Sequence, residues 1–280
     1  MEPQALWVDT DLALGAPRGD VDDGWALLAA LLAHRAGRVK LLGVSAVHGN
    51  TSATTALACA KKLLGALGLD REVPLYPGAS GPGLHSPAAA ALAAAPEGTR
   101  VLALGPLTNV ARALALDPRL AGRVRVSMVG GNLRSWGRWA PWWPFEFNLA
   151  LDAPAAREVF QAPVERWLYP LDVTAGLRVG VPALLRVART GALGRRLVAG
   201  SLRWLAYAPL RYRSLSFPVW DLVPALDALG CLPREVLVRR LAVRGRGLLV
   251  DDPEAGPTFT VSVFDPEAGL RAFLALLAAA

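Results

Sequence analysis

Residues 5–11, with the sequence Ala-Leu-Trp-Val-Asp-Thr-Asp, decide the fold because an apolar run ends there abruptly in acids. A second acidic pair, Asp22 and Asp23, stands just before the apolar run of residues 25–32. The first run predicts a buried strand and the second a buried helix. The acids therefore mark the point where a strand gives way to a helix. In open α/β folds this is the carboxyl end of the sheet, where ligands bind.

The aspartates of this region predict a cation site. They are Asp9, Asp11, Asp22 and Asp23. Ionised carboxylates repel one another in one crevice, and each is costly to remove from water unless it is paired or bound to a metal. A hard divalent cation is the simplest neutraliser, and oxygen ligands suit either calcium or magnesium.

The bulk composition fits a single globular domain. The chain has 280 residues, of which 53% are hydrophobic and 19% are charged, enough for a substantial core. No apolar stretch approaches the ~20 residues of a membrane span, and no secretory signal is visible. Cys59 and Cys231 lie in apolar runs, which favours buried thiols over a disulfide. We therefore expect a cytoplasmic protein without a membrane partner.

The net charge of +7 raises the question of a nucleic-acid partner. The arginines are scattered singly, and the only lysines are Lys40, Lys61 and Lys62. This distribution favours a solvated basic surface over a groove for a polyanion, so no nucleic-acid partner is predicted. If a polyanion does bind, the short cluster of Arg203, Arg211 and Arg213 is the best candidate for its site.

Strand-like and helical segments alternate along most of the chain. Strands are predicted at residues 5–8, 39–47, 73–76, 101–104, 124–129 and 164–169, with two or three more in the final third. Helices are predicted at residues 25–32, 51–67, 181–213, about 221–229 and about 267–280, with another starting near Thr108. Such alternation favours a parallel sheet covered on both faces. The predicted fold is one α/β domain over residues 1–280, with a central, mainly parallel β-sheet flanked by helices.

Polar side chains collect where the predicted strands end. They are Asp9, Asp11, Asn50, Asn132, Glu146, Asn148 and Asp172. In a parallel sheet these ends face one edge, so the side chains can share one crevice. Each residue alone is better explained as a helix cap or turn former, and only their joint placement favours a binding site.

Two further features allow either a structural or a functional interpretation. Tryptophans at positions 136, 139, 142 and 143 precede Glu146. Aromatic faces beside carboxylates and amides suit a ligand with a flat ring and hydroxyls, but the same loop could pack on the surface or at a subunit interface. Asp221 is either the N-cap of a helix or a fourth oxygen ligand for the cation.

Taken in order, these motifs resemble those of the nucleoside hydrolases, the inosine–uridine-preferring hydrolase family. Residues 9–11 and the pair at 22–23 are similar to the family's opening Asp-x-Asp-Pro-Gly-x-Asp-Asp. The later matching segments are Gly49-Asn50, Gly105 to Asn109, Met128 to Gly131, Glu146 to Asn148 and Pro170 to Thr174. The resemblance runs from residue 5 to about residue 230. No single motif is specific, but six in register are.

The resemblance implies a Rossmann-like core and an enzyme that hydrolyses ribonucleosides to ribose and free base. By position, it implies a calcium ion bound by Asp11, Asp23, the backbone carbonyl of Leu104 and Asp221. It makes Asp11 the general base on the calcium-bound water. It assigns the ribose to Asp22, Asn50, Glu146 and Asn148. The family also implies a homo-oligomer, either a dimer or a tetramer.

Trp220 directs the resemblance toward purine substrates. Many pyrimidine-accepting members carry a histidine just before the late aspartate, where it can protonate the leaving base, whereas this chain has Trp220 before Asp221. Purine-specific members stack a tryptophan on the base, so Trp220 joins the predicted substrate-binding residues. In the shortened segment 77–100, His85 is the only remnant of the family's base pocket.

The main departure from the family is the segment Leu12–Val21, which replaces a shorter spacer between Asp11 and the Asp-Asp pair. This insertion has to bulge out if Asp11 and Asp23 are to share a metal. It could cover the site as a lid or alter it. A rival register through Asp20 has the wrong spacing and no strand before it.

Three alternative functions for this chain each require a different feature. A phosphatase of the haloacid-dehalogenase type also begins with strand-Asp-x-Asp and binds magnesium, but it needs a downstream lysine that this chain lacks. A catalytically impaired nucleoside- or ribosyl-binding relative would bind inosine tightly without releasing hypoxanthine. An α/β domain whose acids are only helix caps would bind no calcium at the proposed ligands.

Overall fold

The computed structural model describes residues 2–16, 19–133 and 146–280. In these ranges the strands are β1 Gln4–Thr10, β2 Val39–Ala46, β3 Leu75–Tyr76, β4 Thr99–Ala103, β5 Val124–Val129, β6 Glu165–Tyr169, β7 Arg178–Gly180, β8 Ser216–Pro218, β9 Arg234–Arg244, β10 Leu248–Asp251 and β11 Pro257–Phe264. The α-helices are α1 Asp22–Arg35, α2 Ala53–Leu67, α3 Pro87–Ala93, α4 Thr108–Leu116, α5 Phe147–Leu151, α6 Ala153–Gln161, α7 Leu171–Thr174, α8 Val181–Arg189, α9 Ala192–Tyr212, α10 Leu222–Ala228 and α11 Pro266–Ala278.

Within the described residues, nine strands form one sheet in the order β10-β9-β11-β6-β5-β4-β1-β2-β3. Every neighbouring pair from β11 to β3 is parallel. At the other end, β9 pairs with β11 and β10 pairs with β9, both antiparallel. The predicted α/β fold, with a mainly parallel central sheet flanked by helices, is confirmed.

The strand β1 is apolar on both faces because both faces are covered. Leu6 and Val8 belong to the core that includes α1. Trp7 points to the opposite core, which it shares with Val101 and Val126 of the neighbouring strands. Burial on both faces explains why the sequence shows a continuous apolar run instead of alternation.

The helix α1 is enclosed on all sides. Every residue from Asp22 to Ala33 is buried, and the helix packs against β2, α2, α10 and α11. An enclosed helix is expected to be apolar all round, as the run of residues 25–32 is. This packing fixes the acids of the first turn of α1 near the end of β1.

The helix predicted at residues 51–67, with a stop at Gly68, agrees closely with α2. The Ser52 hydroxyl accepts a hydrogen bond from the Thr55 backbone N–H at 3.2 Å and caps the first turn. Gly68 has a φ of +70°, a left-handed conformation that glycine adopts at little cost.

Two predicted elements differ from the structure. The prediction that residues 181–213 are helical is confirmed, but the structure divides them into α8 and α9, which are separated at Thr190 and Gly191. Gly191 has a φ of +132°, which is incompatible with a right-handed helix. The strand predicted at 73–76 is reduced to the two residues of β3, which follow Pro74, a residue without an N–H to donate.

In the parts of the chain that the structure describes, no helix combines the length and the apolar character needed to cross a bilayer.

A buried ion-pair network joins α10 to the sheet. Arg100 of β4 is only 7% exposed, and its guanidinium donates to Asp227 Oδ2 at 2.7 Å and to Ser127 Oγ at 2.9 Å. The Tyr169 hydroxyl donates to the same Asp227 oxygen, and Arg234 binds the other oxygen at 2.6 Å. Because Asp227 lies in α10, the network holds the helix that follows Asp221.

We expect Asp227→Ala to lower the free energy of unfolding by about 3–5 kcal/mol, because Arg100 would remain buried without its anion. The matched control is Asp251→Ala, whose carboxylate is 69% exposed and pairs with Arg239; it should cost less than about 1 kcal/mol. Urea unfolding followed by circular dichroism measures both values. Equal losses would mean that the network contributes no more than a surface pair.

Candidate active site

Four buried carboxylates meet at the carboxyl end of the sheet. Oxygens from Asp22, Asp23 and Asp221 all lie within 4.8 Å of one another. Asp11 lies within hydrogen-bonding reach of Asp23. None of the four residues is more than 5% exposed. The structure therefore brings together the three carboxylates predicted as calcium ligands, and it adds Asp22, which was predicted to bind ribose, to the same acidic cluster.

Each carboxylate of the cluster is positioned by the end of an element. Asp11 follows β1, Asp22 and Asp23 form the first turn of α1, and Asp221 precedes α10. The Thr10 hydroxyl donates to Asp23, which joins the end of β1 to the start of α1. Asp221 occupies the N-cap position of α10 but makes no capping hydrogen bond through its side chain, so capping does not explain its carboxylate.

The cluster carries unusual electrostatics. Burial, followed by the charges of neighbouring aspartates, raises the pKa of Asp22 and Asp221 well above the ordinary value. Burial and the charge of Asp23 do the same for Asp11. The pKa of Asp23 is raised by burial to about 6, a smaller shift because hydrogen bonds from Thr10 and other neighbours oppose it.

The donor set of the cluster fits a hard cation. Among the described residues, no lysine or arginine forms an ion pair with any of the four carboxylates. Buried like charges without a counterion are costly, and a set made only of oxygen donors suits a divalent metal such as calcium or magnesium. The residues present therefore match the requirements of a metal site.

The backbone carbonyl of Leu104, predicted as a metal ligand, lies on the loop after β4. Its oxygen accepts a hydrogen bond from Asn148 Nδ2 at 2.9 Å. A carbonyl oxygen has two lone pairs, so one remains for a metal. The Leu104 N–H donates to the Asp9 carbonyl at 2.8 Å, which fixes this loop beside the end of β1.

Asn50 is held against the cluster by its own backbone. Its N–H donates to Asp11 Oδ2 at 2.6 Å. Only glycine fits at the preceding position 49, because a Cβ there would lie 2.0 Å from the same Asp11 oxygen. The Asn50 side-chain oxygen accepts a hydrogen bond from the Asp20 N–H at 3.0 Å. The Gly-Asn motif thus lets the chain pass in contact with Asp11.

Glu146 is a helix cap as well as a predicted ribose ligand. Its carboxylate oxygens accept hydrogen bonds from the N–H groups of Asn148 and Leu149, each at 2.9 Å, which caps α5. Burial nevertheless raises the pKa of Glu146 to about 7. The cap holds Asn148 where its amide reaches Leu104, so the Glu-Phe-Asn motif is tied to the loop that carries the predicted carbonyl ligand.

Asp9 supports the fold beside the cluster. Its Oδ1 accepts hydrogen bonds from the Ser45 hydroxyl and from Asn109 Nδ2. The Asn109 side-chain oxygen in turn accepts from the Ala79 N–H at 3.0 Å and the Ser86 hydroxyl at 2.8 Å. The last residue of the Gly-Pro-Leu-Thr-Asn segment therefore ties several loops at this edge of the sheet together.

Trp220 is half-buried directly before Asp221. It packs edge-on against Tyr212, with ring centroids 5.9 Å apart. Its indole nitrogen is buried, and no described residue accepts a hydrogen bond from it. An aromatic face with an unused N–H donor suits recognition of a flat, polar ring.

Two residues near the cluster escape sequence analysis. Spacing argues against Asp20, yet its charge raises the pKa of both Asp22 and Asp221. Burial and the charges of Asp20 and Asp22 raise the pKa of Tyr212 at the end of α9. The acidic neighbours of Asp20 are a signal in the sequence, whereas Tyr212 has none because it is distant in the chain.

Other sequence features lie apart from the cluster. The Asp172 carboxylate accepts a hydrogen bond from the Leu133 N–H at 3.2 Å and so fastens the segment that follows β5. His85 is exposed on the loop before α3. The tryptophans at 136, 139, 142 and 143, predicted either to contact a ligand or to pack at a surface, lie outside the described residues.

Comparison with solved structures agrees with the fold described above. The fold matches a plant nucleoside hydrolase with a TM-score of 0.86 at 20% identity, over 99% of this chain and all of that one. It matches a purine-preferring ribonucleoside hydrolase from Gardnerella vaginalis with a TM-score of 0.84 at 18% identity, over 98% of both chains. At these identities the likeness concerns the fold alone.

Sequence relatives cover shorter segments. A non-specific ribonucleoside hydrolase of Escherichia fergusonii is 30% identical over 60% of this chain and 62% of that enzyme. The match to the corresponding Salmonella paratyphi A enzyme spans 45% of its length at 32% identity. An uncharacterized protein of Schizosaccharomyces pombe is 27% identical over 69% of this chain and 73% of its own.

The family is decided by a match over most of the chain. Residues 6–233 fit the sequence model of the inosine-uridine preferring nucleoside hydrolases. This range contains the end of β1, the first turn of α1 and the start of α10, which carry the acidic cluster, and the ends of β2 and β4, which lead to Asn50 and Leu104. The chain belongs to the inosine-uridine preferring nucleoside hydrolase family.

Proposed function

We propose that this protein hydrolyses the N-glycosidic bond of ribonucleosides, preferably purine ribonucleosides, to ribose and free base. Family membership supports ribonucleoside hydrolysis. The observation that carries the proposal is the acidic cluster at the carboxyl end of the sheet, buried and without a counterion among the described residues. We assign calcium as its metal, held by Asp11, Asp23, Asp221 and the carbonyl of Leu104.

Calcium suits this donor set in number and chemistry. Three carboxylates and one carbonyl provide at least four oxygens, while calcium accepts six to eight. The remaining positions are available to ribose hydroxyls and water. A bound calcium ion would lower the pKa of a water molecule and place it beneath the sugar.

Asp11 is proposed as the general base. Its Oδ2 is engaged by the Asn50 N–H, which fixes the orientation of the carboxylate and leaves Oδ1 to accept a proton from the attacking water. A correctly placed base contributes about 10²–10⁴-fold to such a reaction. The carboxylate also lies where positive charge would develop on the sugar, which it would stabilise electrostatically.

The ribose is assigned to Asp22, Asn50, Glu146 and Asn148. These residues are polar, and all but Asn50 are buried, so hydrogen bonds to ribose hydroxyls would satisfy groups that are otherwise desolvated. Asn148 already donates to the Leu104 carbonyl, which places one of these side chains beside a proposed calcium ligand.

The base is assigned to Trp220. Its ring would stack on a purine, and its Nε1–H, which has no acceptor among the described residues, would donate to an acceptor on the base. Stacking on a larger aromatic system contributes more, which favours purines over pyrimidines. The relative from Gardnerella vaginalis is described as purine-preferring, which accords with this assignment.

A substrate panel tests the proposed function directly. We expect release of free base from inosine and guanosine in the presence of calcium, weaker release from uridine and cytidine, and loss of activity with EDTA that calcium restores. Chromatographic detection of hypoxanthine and the other bases measures this. Tight inosine binding without hypoxanthine would instead identify a nucleoside-binding protein without turnover.

Asp11→Ala should abolish turnover and weaken calcium binding while the fold remains intact. Removing the base alone costs about 10²–10⁴-fold in kcat, and loss of a ligand adds to this. Isothermal titration with calcium and an inosine assay give the two readouts. The control is Asp265→Ala, which removes a carboxylate that caps α11 away from the cluster and should retain wild-type turnover. Wild-type turnover without Asp11 would refute the mechanism.

Trp220→Ala should raise the KM for inosine about fivefold to twentyfold, in line with the ~1–2 kcal/mol expected for a lost aromatic contact. The KM for uridine should change less. Trp204→Ala is the matched control, because Trp204 is also half-buried and packs against Tyr212 without a proposed role in binding. Unchanged inosine kinetics in the Trp220 variant would remove the stacking assignment.

A further inference from the structure

The two ends of the insertion Leu12–Val21 pack into the interior instead of bulging away from the acidic cluster. Leu12 and Ala13 are fully buried, and Val21 is 2% exposed, so the insertion leaves β1 and rejoins α1 through the interior. Leu12 and Val21 both belong to the core that contains α1. Both ends of the insertion are therefore held by the same packing that holds the carboxylates.

Leu14 anchors the insertion on two helices. A Cβ added to Gly24 of α1 would lie 2.8 Å from Leu14 Cβ, and one added to Gly200 of α9 would lie 2.9 Å from Leu14 Cδ1. The Leu14 side chain thus sits directly on two positions where the helices carry no side chain. This contact ties the insertion to α9, the helix that ends at Tyr212.

The other end of the insertion contacts Asn50. The Asp20 N–H donates to Asn50 Oδ1 at 3.0 Å. The Asp20 carboxylate accepts from the Val21 N–H at 2.6 Å, which fixes the backbone of residue 20 at the entrance to α1. Since the amide oxygen of Asn50 is occupied in this way, its NH₂ group faces the opposite direction. That group lies near the Asp23 carboxyl, where it partly opposes the rise in pKa that burial causes.

We propose that the insertion positions Asn50, with Asp20 and Leu14 as positioning residues that present the Asn50 NH₂ group to a ribose hydroxyl. The inference rests on the proposed function, because it needs Asn50 to bind ribose. Two hydrogen bonds fix the position of Asn50. Its backbone N–H donates to the Asp11 carboxylate, and its side-chain oxygen accepts from the Asp20 N–H. Without the second bond, rotation about the side-chain torsions would leave the amide free to turn away.

The proposal predicts a selective effect on substrate binding. Asp20→Ala removes the acceptor for the Val21 N–H and should raise the KM for inosine about fivefold to tenfold, the equivalent of one hydrogen bond, with kcat within about twofold of wild type. Asp20→Asn keeps an oxygen acceptor and should restore the KM to within about twofold of wild type. If Asp20→Asn is as impaired as Asp20→Ala, Asp20 acts through its charge and the positioning role is refuted.

The Leu14 anchor has a matched control in Leu193. Both leucines are half-buried beside the same small cavity, but Leu193 belongs to α9 and not to the insertion. Leu14→Ala should raise the KM for inosine about threefold to tenfold, whereas Leu193→Ala should leave it within about twofold of wild type. Equal KM values for the two variants, with equal thermal stabilities, would overturn the anchoring role.

A double-mutant cycle decides whether the effect passes through Asn50. Asn50→Ala should raise the KM, and adding Asp20→Ala should then change it by less than about twofold, because coupled residues are non-additive. Additive increases would refute the proposal.

Failure of the proposed function would be recognised separately, because wild-type protein with calcium would then release no base from any nucleoside. In that case titration with ribose, comparing wild type with Asp20→Ala, tests the positioning role alone. Equal affinities of the two proteins for ribose would refute that role.

Discussion

Mutual repulsion among buried carboxylates is the constraint on which the rest of this structure depends. Asp11, Asp22, Asp23 and Asp221 are each nearly inaccessible to water, and burial raises the pKa of all four. The surrounding structure lowers this cost with hydrogen bonds from the Thr10 hydroxyl and the Asn50 N–H. These donors are too few to neutralise the charge, so a cation is the natural completion of the cluster.

The parallel sheet is what allows the cluster to form. Because β1 lies between β2 and β4, the residues that follow these three strands become neighbours although they are far apart in sequence. Crowding at this junction accounts for two glycines: a Cβ at Gly49 or Gly105 would lie 2.0 or 3.2 Å from Asp11 side-chain atoms. The buried network around Asp227 holds α10 against the sheet and thereby keeps Asp221 within reach of the acids of α1.

The sequence allowed the fold and much of the grouping to be predicted, because both follow from local signals. Continuous apolar runs predict strands buried on both faces, and acids at their ends predict the carboxyl edge. What could not be predicted depends on distant packing. Tyr212 reaches the cluster only because α9 folds back across the insertion, and the break at Gly191 depends on a backbone conformation that composition does not reveal. Glu146 is both a helix cap and a buried acid at this edge, so local spacing alone could not assign it.

The insertion between Asp11 and Asp22 is compatible with an intact cluster for an energetic reason. The separation of Asp11 from Asp23 is set by the packing of α1 against the sheet and by the Thr10 hydroxyl, not by the length of the chain between them. Lengthening the spacer from three residues to ten costs only about 1 kcal/mol in closure entropy. The buried Leu12, Ala13 and Val21 offset a cost of this size. A longer spacer can therefore be accommodated without separating the carboxylates, and in this chain it contacts Asn50 through Asp20 and α9 through Leu14.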